Sequence, residues 1–401
     1  MSQKRLNYGR HSVHEAEIQA VVRVLTSDFL TQGPMVEKFE QEVCRLTGAK
    51  HAVAFSSGTA ALHGAAWAAG VSAGDVGVTQ AITFCASANM FRYCGANVAF
   101  TDIDDDTLNM CPDSLEETLS SVENLGSIVK VVVPVHMAGV SCRADEIRKV
   151  ASKQIVIEDA SHSFGATYED GQMIGCGAYS DITVFSFHPV KPITTGEGGI
   201  AVTNDSEFAS RLRLMRSHGI ERSAGLFLNP IEDQGGDLPG SWYYEQQCLG
   251  YNYRMSDIHA ALGLAQLDRL TSFAKKRKDL ALAYDVAFEA HPFVKPLQAL
   301  KDLRVRSANH LYAIMVDFDQ IGMDRVAVME NLKGKGIWTQ VHYIPVYRHP
   351  YYKQLYPNLQ MTDFSRSERY YSHALTLPLF PEMDNKDVCR VVDALSALGK
   401  V

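Results

Sequence analysis

Between residues 51 and 203, short apolar runs alternate with helix-type segments, and no other feature of the chain restricts its fold so strongly. The apolar runs are His51–Phe55, VGVT, NVAFTDI, IVKVVVPVH, IVIEDA, DITVFSF and IAVTN. Helical patterns fill several of the gaps, among them a small-residue segment ending at Ala69, Pro112–Ser121 and Arg143–Ser152. Continuously apolar strands are buried on both faces, and a helix between two of them returns the chain so that the strands run parallel. The pattern predicts an α/β architecture with a large, doubly wound, mostly parallel sheet. Upstream, Ser12-Val-His-Glu15 reads as a capping box that opens a helix with Ile18, Val21, Val22 and Leu25 on one face. A second helix carries Phe39, Val43 and Leu46 and stops at Gly48.

The alternation fades after Asn204. The glycine-rich stretch 235–240 reads as a loop. A long helical pattern runs from Ser256 to Ala290, and its basic patch at 275–278 reads as a solvated face. The tail mixes strand patterns (HLYAIMVDF, WTQVHYIPVY) with a helix over Lys386–Leu398. The expected organisation is a large domain over 1–265 and a small α+β domain over 266–401.

The chain is 46% apolar and 21% charged, as in a folded globular protein, which argues against disorder, collagen and coiled coil. Its 38 basic and 46 acidic residues give a formal charge of −8, unfavourable for a nucleic-acid partner. The eight cysteines form no C-x-x-C pair and have no zinc spacing. They read as small buried hydrophobes of a reducing compartment, with no metal. The polar start and the lack of an apolar run of about 18 residues predict a cytoplasmic protein without a membrane partner.

Open α/β sheets bind ligands at the carboxyl ends of their strands. The first strand delivers Ser56-Ser57-Gly58-Thr59 at a helix start, where amides and hydroxyls can hold a phosphate or merely cap the helix. IVI delivers Glu158-Asp159, and an Asp there can pair with a cationic ring nitrogen, bind a metal or cap a turn. His162 follows three residues later. DITVFSF delivers Ser186 and then His188-Pro189-Val190-Lys191-Pro192, with prolines on both sides of a lysine in an apolar loop. A lysine so placed can acquire a lowered pKa and react with an aldehyde. These pieces together match what pyridoxal phosphate needs. Lys191 meets the aldehyde, Asp159 the ring nitrogen, and Gly58, Thr59 and Ser186 the phosphate. Phe84 offers an aromatic face to the ring.

FSFHPVKPITTGEGG and GYNYRMSDIHAALGLAQL make the chain resemble the DegT/DnrJ-type sugar aminotransferases, over nearly its whole length. The resemblance implies the fold type I architecture of pyridoxal-phosphate enzymes, like that of aspartate aminotransferase. It implies that Lys191 bonds the cofactor, Asp159 pairs with the ring nitrogen and His162 sits on the side of the 3′ oxygen. Asn252 would reach the phosphate of a neighbouring subunit's cofactor, with Arg254 at the same boundary, making a homodimer with active sites at the subunit interface. Tyr8, Leu30, Thr31, Gln32, Gly33, Ala60, Asn309, His310, Leu311, Tyr312, His342 and Tyr343 would line a nucleotide-sugar pocket. Family members that dehydrate carry His in place of the lysine, so Lys191 favours transamination. L-Glutamate is the implied donor, and a UDP-linked 4-keto-6-deoxy-N-acetylhexosamine the implied acceptor. The catalytic residues would equally serve a UDP-4-keto-pentose or a dTDP- or GDP-linked keto sugar. The segment Leu226–Tyr244 matches nothing in the family pattern. A regulator would need a DNA-binding extension, and a hydride-transfer enzyme a G-x-G-x-x-G after the first strand; neither is present.

Overall fold

The computed structural model describes residues 4–228 and 240–399. Seven strands form the large sheet: β1 (His51–Phe55), β2 (Val76–Gln80), β3 (Asn97–Thr101), β4 (Val129–Val133), β5 (Ile155–Asp159), β6 (Ile182–Ser186) and β7 (Gly199–Thr203). Their order is β1-β7-β6-β5-β4-β2-β3. All pairings are parallel except those of β7, which runs antiparallel to β1 and β6. Each of the seven apolar runs between residues 51 and 204 forms the strand expected of it. The physical reason is visible in the burial: β2 and β7 are buried at every position, so both faces of the sheet are covered. Among the described residues no helix is long and apolar enough to cross a membrane.

β8 (Ile220–Glu221) and β9 (Glu245–Gln246) pair as a short ribbon flanking the segment 226–244, of which 229–239 lie outside the described residues. The loop expected over 235–240 falls there too, except for Gly240. A three-stranded antiparallel sheet of β10 (Val294–Pro296), β11 (Tyr312–Val316) and β12 (Ala374–Leu377) has its own core with Leu280, Tyr284, Val328 and Val391. Leu6 joins that core from the far end of the chain. A cut after residue 265 falls inside the helix Asp257–Leu267. The next helix, Leu270–Phe288, packs Phe273 on the first core and Leu280 on the second.

Several local expectations are corrected. α1 (Glu15–Leu25) is capped by His14, whose N–H donates to Glu17 at 2.9 Å, so the box lies two residues beyond Ser12. Its buried residues are Glu17, Ala20 and Val24, while Ile18, Val22 and Leu25 are exposed. Glu17 wins the inner position because its carboxylate accepts from Gln266 and pairs with Arg269. The pattern over 256–290 is two helices broken at Asp268–Arg269. Within the basic patch, Arg277 is 1% exposed because it donates to the carbonyls of His310 and Leu379. WTQVHYIPVY forms no strand and contributes only the bridge of Gln340 to Thr376. All eight cysteines are free, but only Cys111 and Cys142 are buried.

Candidate active site

The carboxyl ends of β1, β5 and β6 open on a cavity of about 720 Å³. β1 leads to α3 (Gly58–Ala68), a small-residue helix buried on nearly every side. Ser57 caps it by accepting the Ala60 N–H at 3.1 Å, and the Ser57 carbonyl accepts from Ala61. The amides of Gly58 and Thr59 stand before the first intrahelical bond and line the cavity, as a phosphate cradle requires. Close approach is built in. A Cβ on Gly58 would stand 2.8 Å from the Ser186 Cβ, and one on Gly199 would stand 2.5 Å from the Ser57 carbonyl oxygen.

Asp159 ends β5 and is 4% exposed. Its Oδ2 accepts from Ser87 at 2.7 Å and its Oδ1 from the Ser161 N–H at 3.0 Å. Thr83 in turn bonds the Ser87 hydroxyl at 2.8 Å. Lys191 hangs from a loop after β6, closed by Phe187 N–H to Gly198 and Thr195 N–H to Phe187. Burial lowers its pKa to about 8, against the opposing pull of Asp159. A lysine near neutrality in a cavity with one fixed carboxylate can act as nucleophile and proton carrier.

A set of neutral histidines closes the other side. His162 accepts the Ala138 N–H on Nδ1 at 3.2 Å, so its proton sits on Nε2, 3.1 Å from the Tyr343 hydroxyl. Burial, then the charge of Lys191, holds His162 well below its ordinary pKa. His310 packs on His162 with ring centres 4.6 Å apart and is held well below its ordinary pKa by burial, then by His162 and Lys191. His342 bonds Thr376 at 2.9 Å and is lowered to about 3. Phe84, half exposed, faces Tyr343 at 5.9 Å across the opening.

The cavity wall thus brings together Tyr8, Gly58, Thr59, Phe84, Asp159, His162, Ser186, Lys191, His310, His342 and Tyr343. Other expected residues stand elsewhere. Ala60 is buried in α3. The Asn309 amide donates to the Arg304 and Ser307 carbonyls, Leu311 packs in a neighbouring core, and the Tyr312 phenol donates to Asp285. In this chain none of these three faces the cavity, because backbone and core contacts consume them. Leu30 and Thr31 are exposed and bridge to the segment before Asp257, Gln32 adopts a positive φ, and Gly33 caps α2 (Pro34–Thr47). Asn252 is exposed beside Ser217, and Arg254 bridges to Phe55. Sequence reasoning missed Ser87, Glu197 and His349. Only Ser87 left a signal, a hydroxyl four residues after Thr83 in an otherwise apolar segment.

The profile of the DegT/DnrJ/EryC1/StrS aminotransferase family matches residues 11–396. The spore coat polysaccharide biosynthesis protein SpsC of Bacillus subtilis is 39% identical, over 100% of this chain and 99% of its own. The UDP-4-amino-4,6-dideoxy-N-acetyl-beta-L-altrosamine transaminase of Campylobacter jejuni is 36% identical, over 99% and 98%. Among solved structures, Helicobacter pylori PseC, an aminotransferase involved in the biosynthesis of pseudoaminic acid, superposes with a TM-score of 0.87. It is 30% identical and is covered completely, by 99% of this chain. The α/β architecture is therefore the fold type I form anticipated from the sequence.

Proposed function

Because the chain belongs to the DegT/DnrJ/EryC1/StrS aminotransferase family and is a pyridoxal-phosphate-dependent sugar aminotransferase, we propose that it transfers the amino group of L-glutamate to C4 of a UDP-linked 4-keto-6-deoxy-N-acetylhexosamine. The product would be UDP-4-amino-4,6-dideoxy-N-acetyl-β-L-altrosamine, the sugar of pseudaminic acid biosynthesis. The observation that carries the reading is the convergence of Lys191, Asp159 and the α3 N-terminus on one cavity. The likeness to the Campylobacter and Helicobacter enzymes supports the choice of sugar.

The residues fit the cofactor. The orphan amides of Gly58 and Thr59 with the Ser186 hydroxyl suit its phosphate, Asp159 its ring nitrogen, His162 its 3′ oxygen side, and Phe84 its ring face. When bound, pyridoxal phosphate supplies an aldehyde that takes the amino group and a cationic ring that shares the electron pair released at carbon. Ser87 and Ser161 hold the Asp159 carboxylate in one orientation. With a pKa of about 8, roughly a tenth of the Lys191 amines are unprotonated at pH 7, so Lys191 can take the proton from the donor Cα and return one to sugar C4. The donor leaves as 2-oxoglutarate, and the sugar's keto oxygen leaves as water. Neutral His162, His310 and His342 place no further positive charge beside Lys191, so that wall of the cavity leaves the amine basic enough to carry a proton.

Two apolar areas support a homodimer. Ile18, Val22 and Leu25 of α1, with Phe29 and Leu30, leave large apolar side chains in solvent, as do Leu249 and Tyr251 beside Asn252. A second copy covering them would carry Asn252 and Arg254 to the neighbouring cofactor phosphate. The test of the sugar is a panel of UDP-, dTDP- and GDP-linked keto sugars with L-glutamate, read by product mass. Highest kcat/KM on the UDP-linked 4-keto-6-deoxy-N-acetylhexosamine supports the assignment, and a preference for another nucleotide or for a pentose overturns it.

A further inference from the structure

Directly behind the cavity lies a buried polar cluster that the chemistry above does not use. Glu158 and Asp159 are consecutive on β5, so their side chains point to opposite faces of the sheet. Asp159 faces the cavity. Glu158 is 1% exposed and faces His136, which is fully buried. The Glu158 Oε2 accepts three hydroxyls, from Tyr168 at 2.6 Å, Ser180 at 2.9 Å and Thr183 at 3.0 Å. Its Oε1 stands 3.4 Å from the His136 Nε2, and neither atom has another partner. The Cys142 N–H donates to the His136 Nδ1 at 3.0 Å. That lone pair is therefore occupied, and the ring proton sits on Nε2, toward the carboxylate. A second proton would have to displace the Cys142 amide.

The cluster grips the turn 136–140 at its start and just past its end, through His136 and Cys142. The His136 N–H donates to the Asp159 carbonyl at 3.1 Å, and the Ala138 N–H fixes the His162 ring. Ala138 holds a φ of +58°, a left-handed conformation unfavourable for a residue with a side chain, which persists only where its surroundings impose it. The Ala138 carbonyl also accepts the backbone N–H of His310 at 2.9 Å, in the segment that places the His310 ring on the cavity wall. One turn thus sets the Asp159 backbone, the His162 tautomer and the place of His310.

We propose that His136 and Glu158 are positioning residues for the cofactor ring. They act through the turn 136–140 on His162 and Asp159 and touch neither cofactor nor substrate. The inference rests on the pyridoxal-phosphate reading of the cavity. His136→Asn and Glu158→Gln test it in the full chain. The Asn carbonyl can accept the Cys142 N–H but is too short for Glu158, and Gln keeps the hydroxyl partners without the charge. The readouts are the affinity of the apoprotein for pyridoxal phosphate and the induced circular dichroism per bound cofactor at saturation, which reports ring orientation. Expected are native far-ultraviolet spectra, affinity weakened about tenfold or more, as when outer partners of ligand-holding residues are lost, and an altered induced signal. Wild-type affinity and induced signal with only a lower melting temperature would make the cluster mere scaffold and overturn the proposal. So would one equivalent of tightly bound metal in the purified wild type, since the His136, Cys142 and Glu158 ligand atoms lie within 4.8 Å of one another. If His136→Asn does not fold, Glu158→Gln decides alone. Failure of the wild type itself to bind pyridoxal phosphate would refute the underlying reading instead.

Discussion

Gly58→Ala adds one methyl group at a crowded point of the phosphate cradle. The new Cβ would lie 2.8 Å from the Ser186 Cβ, 3.0 Å from its Oγ and 3.5 Å from its Cα. Carbon atoms rest about 3.5–4.0 Å apart, so Ser186 must retreat by roughly 0.7 Å or more. It has little room to do so, because its backbone is registered against Gly199 on β7. Overpacking of this kind costs about 1–3 kcal/mol. Against it stands the helix preference for Ala over Gly, at most about 1 kcal/mol in a helix interior and less at the first position. Clash therefore wins, and it falls on the hydroxyl that serves the phosphate. Carried by the cofactor site, 1–3 kcal/mol weakens pyridoxal-phosphate binding by a factor of about 5–150. Titration of the apoprotein by absorbance measures this directly, and the melting temperature of the apoprotein shows how much of the cost is global. Binding within twofold of wild type would refute both the cradle assignment and the reasoning from contact distance.

Ser87→Ala removes a hydroxyl donor from the Asp159 carboxylate, an interaction worth about 1.5–3 kcal/mol when one partner is charged, so cofactor affinity should fall by roughly ten- to a hundredfold while the fold persists. In the apoprotein, reaction of Lys191 with an amine-selective reagent, followed by peptide mass spectrometry, should show a midpoint near pH 8. Asp159→Asn should move that midpoint lower still, because the carboxylate raises it. Acid should destabilise the protein through His162, His310 and His342. Their folded pKa values lie below the unfolded value of about 6.5, so the unfolded chain binds protons first, and stability is lost as pH falls below 6.5. Three such groups give a slope of up to about 4 kcal/mol per pH unit. Denaturant melts between pH 7 and 5 should show it, with a shallower slope in His342→Gln.

The large sheet was legible because its strands are largely buried on both faces and therefore largely apolar, with β2 and β7 buried at every position and only Asn97 of β3 exposed. The core of the site was legible for a related reason: a lysine between prolines, an Asp at a strand end and a glycine at a helix start each carry a local constraint. What the sequence hid was set by long-range partners. Arg277 looks solvated until the carbonyls of His310 and Leu379, distant in sequence, draw it inside. The apolar face of α1 looks like a core face, yet Glu17 takes the inner position through Gln266 and Arg269. Tyr312 and Asn309 sit in motifs that suggest a pocket, but Asp285 claims the Tyr312 hydroxyl and two backbone carbonyls claim the Asn309 amide nitrogen. The His136–Cys142–Glu158 cluster escaped a search by spacing because its members meet only across the sheet.

The central claim is that one cavity, organised around Lys191 and Asp159, passes an amino group from an amino acid to a nucleotide sugar. A single-turnover absorbance experiment tests it most directly. The holoenzyme is treated with L-glutamate until the aldehyde-form band of the cofactor is lost, the donor is removed, and the UDP-linked 4-keto-6-deoxy-N-acetylhexosamine is added. The account predicts rapid return of the band with one equivalent of amino sugar per site in the wild type, and neither step in Lys191→Ala. Turnover retained in Lys191→Ala, or a wild-type band that glutamate does not bleach and the keto sugar does not restore, would contradict it.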